Sequence, residues 1–127
     1  MRERLAVVFV GGCAGGYARY AVSQAWPSPI NGFPWSTFAV NLVGAFVLGV
    51  VVVLASETRA SRRLRLLVGT GFCGALTTFG SVVVAVDELI AHHHAATALT
   101  YLTATAAAAL LVAAIGLSLT RSAVARW

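Results

Sequence analysis

Four stretches of about 20 mostly apolar residues, with almost all charge confined to the connections, leave this chain of 127 residues few possible folds. A helix of that length spans the hydrocarbon of a bilayer. The stretches run from about Leu5 to Trp26, Trp35 to Ala55, Leu64 to Val86 and Ala95 to Leu119. Only 10% of the residues are charged and 59% are hydrophobic, whereas a soluble domain carries about 25% charged residues. The pattern predicts an all-α integral membrane protein, a single four-helix domain over residues 1–127.

The connections support this division. Pro27-Ser28-Pro29-Ile30-Asn31-Gly32 ends the first stretch, because two prolines, Asn and Gly do not continue a helix. Trp26, Trp35 and Trp127 fall at span ends, where amphipathic rings favour the headgroup zone. No small-residue cleavage site follows the first stretch, which argues against a cleaved signal peptide. Cys13 and Cys73 lie in apolar runs without a partner at ligand spacing and are expected to be small buried packing residues.

Charge gives the topology. Arg2, Arg4, Arg59, Arg62, Arg63, Arg65, Arg121 and Arg126 all fall at the termini or in the middle connection, and the other two connections hold no arginine. Both termini are therefore expected on the cytoplasmic side of the cell membrane. The net charge of +5 is read as a topology signal and a contact with lipid headgroups rather than as a nucleic-acid surface. His92, His93 and His94 are expected as solvated loop residues, with pH sensing the second reading.

Inside the third stretch, Gly69 to Ser81 reads GTGFCGALTTFGS, a loop-like run at lipid depth. Irregular backbone survives there only against protein or a cavity, so the third helix is expected to break near the midplane. A rise of about 1.5 Å per residue puts Gly74 to Thr77 at that depth. Asn41, Ser81, Tyr101 and Thr105 then lie at the midplane or in the half away from the arginines, and Thr97, Tyr101 and Thr105 share one helix face. Arg19 in the first span either faces a polar vestibule or snorkels outward. Gly11, Gly12, Gly15 and Gly16 form two overlapping G-x-x-x-G pairs, read as helix-packing positions.

A cation, amide and hydroxyl donors and the Phe79 ring, whose edge carries partial positive charge, suit a small anion. No carboxylate lies clearly within the lipid core, so proton relays lack their usual parts. Nothing pairs a nucleophile with a base, and no enzyme activity is expected.

These residues carry a resemblance. Gly11 to Tyr20 (GGCAGGYARY), Thr37 to Phe46 (TFAVNLVGAF) and Gly71 to Phe79 (GFCGALTTF) are together similar to the CrcB/Fluc fluoride channels over the full chain. The resemblance implies an antiparallel dimer with two narrow fluoride pathways, passing fluoride out of the cytoplasm. It implies a structural sodium ion between subunits, held by the backbone carbonyls of Gly74 and Thr77. Asn41, Phe79, Ser81, Tyr101 and Thr105 would line the pathway, with Arg19 at its vestibule.

The chain departs from the pattern at several positions, with Gly80 and Ser81 as the residues following Phe79. Val82 stands where a second phenylalanine is expected, Ala85 where a glutamate is, and Ala109 where a hydroxyl would extend the polar track. The one-sided arginines also disfavour insertion in both orientations, and the expectation is a related partner chain of opposite bias. The alternatives are a non-conducting or half-functional subunit of such a heterodimer, and a small multidrug-type efflux transporter. The last needs an acid in the first span, where this chain has Arg19.

Overall fold

The computed structural model describes residues 1–29, 31–57 and 62–126. Ile30 of the first turn, Arg59 of the middle connection and Trp127 at the last span end therefore lie outside the described residues. Helix α1 spans Arg2–Ala25 and α2 spans Trp35–Glu57. The third span comprises α3 (Arg62–Leu64), a π-helical stretch Arg65–Cys73 and α4 (Gly74–Leu76), followed after a break by α5 (Gly80–Ala91). Helix α6 spans Ala95–Val124. Among the described residues all regular structure is helical, and four helical runs are long and apolar enough to cross a membrane. At most 33% of any of their most apolar windows is buried, so most of this apolar surface faces outward, as lipid contact requires.

The break changes the third span's packing partner. Before it, the π-helical stretch and α4 lie against α1; after it, α5 lies against α6, while α2 packs along α6. The first interface depends on missing side chains. A Cβ on Gly11 would collide with the carbonyl of Leu67, and one on Gly15 with the carbonyl of Phe72. Gly16 has nothing within 4 Å of that position. Of the two G-x-x-x-G pairs, Gly11 and Gly15 therefore make the close helix contact, Gly12 lies at its edge beside Gly71, and Gly16 looks away from it.

The loop-like reading of Gly69 to Ser81 is too wide. Glycine-rich residues up to Leu76 remain helical, because backbone packed on α1 keeps its own hydrogen bonds, and only Thr77 to Phe79 leave the helix. These three fall near the middle of the 30-residue span Arg62–Ala91. The expectation that both cysteines are buried holds for Cys73 alone; Cys13 is exposed on α1. Spacing along one apolar run does not reveal which face meets protein and which meets lipid.

At one end of the bundle Arg63 Nη2 donates to Glu3 Oε2 at 3.3 Å, which places the start of α1 beside the start of the third span. At the other end Trp26 and Trp35 are half exposed. There Phe33 packs edge-on against Phe38 and Tyr101, at ring separations of 5.3 and 5.2 Å. His92 and His93 are exposed in the turn before α6, and His93 adopts a positive φ of 63°.

Candidate functional site

The break is held open by one side chain. Asn41 of α2 accepts the Thr78 N–H on Oδ1 at 2.8 Å, and its Nδ2 donates to the Thr78 carbonyl at 3.2 Å. In a continuous helix Thr78 N–H would bond the carbonyl of Gly74. Similarly, Ser81 N–H, the helical partner of the Thr77 carbonyl, donates instead to Thr78 Oγ1 at 3.1 Å. The carbonyls of Gly74 and Thr77 have thus lost their helical donors at the depth of the break. Thr77 is extended there (ψ 147°), and its own hydroxyl bonds back to the Cys73 carbonyl at 2.9 Å. A Cβ on Gly74 would meet nothing within 4 Å, so its backbone is open to an approaching group.

Beside the break an open groove of about 430 Å³ runs between α2, the third span and α6. Asn41, Gly74, Thr77, Phe79 and Thr105 line it, as do Val82 and Ala109. The Phe79 ring is 74% exposed, whereas Val82 is only 2% exposed and packs inward. Asn41 is buried. Its amide carries two hydrogens, and the contact with Thr78 uses one of them.

On α6 the threonines divide into two kinds. Thr100, Thr103 and Thr120 donate back to the carbonyls of Ala96, Leu99 and Gly116, the ordinary use of a threonine inside a helix. Thr105 does not, and its buried hydroxyl has no partner. The hydroxyl of Tyr101, one turn earlier, is also fully buried without a well-formed hydrogen bond, although the hydroxyls of Thr37 and Thr105 lie near it. A buried unsatisfied hydroxyl costs about 1–3 kcal/mol, so two adjacent ones are an arrangement that needs a reason.

Arg19 is half-buried and lines a separate cavity of about 290 Å³ together with Ser36, Thr37 and Ser81. No acidic residue lines that cavity. Ser81 and Thr37 also line the wall of a neighbouring opening that reaches Ala85 and Glu88. The site residues expected from sequence therefore fall into two groups. Asn41, Gly74, Thr77, Phe79 and Thr105 surround the groove, with Tyr101 one turn away, and Arg19 and Ser81 share the outer cavity.

Sequence reasoning missed Thr78 and Thr37. Thr78 is the residue Asn41 clamps, and its hydroxyl takes over a backbone donor at the start of α5 as a capping residue does. The signal for it is a threonine three residues before Ser81, directly ahead of a long apolar helix. Thr37 lies four residues before Asn41 and so shares its helix face.

Comparison with known proteins adds four observations. The family described as CrcB-like protein, Camphor Resistance (CrcB), matches residues 6–117. A Fluoride-specific ion channel FluC 1 of Streptomyces coelicolor is 49% identical over 107 residues, covering 84% of this chain and 70% of the relative. One from Mycolicibacterium paratuberculosis is 40% identical over 120 residues, 94% of this chain and 91% of the relative. The Fluoride-specific ion channel FluC 2 of Streptomyces avermitilis is 46% identical over 102 residues, where the match covers 80% of this chain and 65% of the relative.

Proposed function

The chain belongs to the CrcB family, and from that premise we propose that it is a subunit of a fluoride-specific ion channel through which fluoride leaves the cytoplasm passively. The buried hydroxyls of Tyr101 and Thr105, neither of which makes a well-formed hydrogen bond, carry this reading. Buried donors with nothing to bond suit a small anion that accepts hydrogen bonds in transit. The free amide hydrogen of Asn41 adds a third donor at the break, and the exposed Phe79 beside it offers a positive ring edge. Arg19, in a cavity without acids, draws anions toward Ser81 and that track.

A structural sodium ion belongs to the same reading. Hard cations take oxygen ligands, and the carbonyls of Gly74 and Thr77 have been released by the diversion of Thr78 and Ser81 N–H. Those two carbonyls would hold the ion, and when bound it supplies positive charge that ties two subunits together. The midplane is the one depth at which an antiparallel second subunit brings the same carbonyls alongside. The arginine-rich end is the cytoplasmic one, with both termini on the cytoplasmic side of the cell membrane. With eight arginines on one side, the chain keeps a fixed orientation, and its antiparallel partner is a related chain of opposite bias that completes the pathway around Val82, Ala85 and Ala109.

Liposomes loaded with potassium fluoride and made permeable to potassium test these claims with a fluoride electrode. Fluoride release without chloride release is the expected result. Release by this chain alone sinks the paralogue requirement and leaves the channel reading standing. No release, alone or with a reversed-bias chain added, sinks the channel reading itself.

A further inference from the structure

The arginine-rich end carries a second feature, remote from the break. A cleft of about 210 Å³ opens between the start of α1 and the start of the third span, lined by Glu3, Arg4, Arg62 and Arg63 above Val7 and Leu66. Val7 and Arg63 also line an apolar groove of about 460 Å³, which continues down the same helix pair over Val10 and Leu67. The cleft and the groove therefore adjoin at Val7 and Arg63, and together they make a depression that is cationic at its mouth and apolar beyond. Glu3 pairs with Arg63 only, and Arg4 and Arg62 have no ion-pair partner among the described residues. Three arginines against one carboxylate leave an excess of positive charge at the mouth.

We propose that this depression binds one anionic phospholipid, with its phosphate on Arg4 and Arg62 and an acyl chain in the groove below Val7. The guanidinium fork suits phosphate oxygens, and each arginine near an anionic surface adds a favourable interaction. Charge complementarity selects the occupant. A zwitterionic lipid would bring its own cation to the arginines, and a free phosphate would leave the apolar groove uncovered. The Glu3–Arg63 pair holds back part of the available charge, so the carboxylate tunes the site's affinity.

Native mass spectrometry of the purified full chain in detergent tests this, with phosphatidylglycerol and phosphatidylcholine of identical acyl chains as probes. Retention of one phosphatidylglycerol, and little phosphatidylcholine, is expected. Arg4→Gln with Arg62→Gln should weaken phosphatidylglycerol retention about tenfold or more. The charge-matched pair Arg65→Gln with Arg126→Gln should change it less than about threefold. Val7→Phe, which fills the junction, should weaken both lipids, and Glu3→Gln should tighten phosphatidylglycerol alone. Equal losses from the two arginine pairs would mean diffuse surface charge and overturn the site. Full displacement by inorganic phosphate would overturn it too, because the acyl chain would then add nothing.

Discussion

The third span is two structures joined at Thr77 to Phe79, and its halves solve opposite problems. The half before the break lies backbone to backbone on α1, with Gly11 and Gly15 giving way to the carbonyls of Leu67 and Phe72. The half after it turns to α6, beside buried hydroxyls that have no partner. Close packing without polar groups makes the first half a rigid frame. The second half lies against α6, whose buried hydroxyls sit between it and α2. On the proposed reading, function sits where satisfaction of polar groups fails, and stability sits where packing leaves no room.

The comparison breaks most severely if the frame tolerates bulk. Gly15→Leu should lose about 3 kcal/mol of stability or fail to fold, because its side chain begins inside the Phe72 carbonyl. Gly16→Ala, one position on, should melt within about 0.5 kcal/mol of the parent, since open space surrounds it. Thermal melting of the detergent-solubilised protein separates the two. Equal effects would mean that the glycine face does not define the frame.

Next in size is the hinge between the halves. Asn41→Leu removes both bonds to Thr78 and returns its N–H to the Gly74 carbonyl, closing the gap. Fluoride efflux should fall about a hundredfold, the equivalent of a lost pair of buried hydrogen bonds, while the protein still folds. Unchanged efflux in a folded variant would show that the break does not depend on the clamp.

These two regions also differ in how legible they are from sequence. Four apolar stretches and the placement of charge disclose the membrane class and the break, because the bilayer admits so few structures. The difference between Gly11 and Gly15, which meet backbone closely, and Gly16, which meets nothing, is not legible. Two pairs at the same spacing differ only in which neighbour they meet. The spread of glycines toward Gly69 hid how narrow the break is, since glycine at a helix contact and glycine in a loop look alike in sequence. Asn41 was legible as a buried polar residue, but its clamp on Thr78 required α2 and the third span to be placed side by side. Among the threonines of α6, only tertiary packing separates Thr105 from Thr100 and Thr103, which bond to their own helix.

The second half invites a test in which function and stability move in opposite directions. Tyr101→Phe keeps the ring against Phe33 and deletes a buried hydroxyl that makes no well-formed hydrogen bond. Its removal should leave stability unchanged or raise it by up to about 1 kcal/mol, and efflux should fall about tenfold. Thr105→Val should behave alike. Parallel losses of stability and efflux would instead assign both hydroxyls to the frame.

The smallest effect is expected at Arg19, and its salt dependence is what makes it informative. Arg19 lines the cavity that also contains Ser81, at the end of the bundle remote from the other arginines. If it concentrates anions, Arg19→Gln should slow fluoride efflux about threefold at low ionic strength. The difference should shrink toward nothing near 1 M salt, where screening acts over about 3 Å. A guanidinium that only snorkels to the surface gives the same efflux as glutamine at every salt concentration. A loss that persists at high salt would place Arg19 in the frame, since packing is not screened. Efflux measured at two salt concentrations therefore distinguishes attraction of the anion from support of the walls around it.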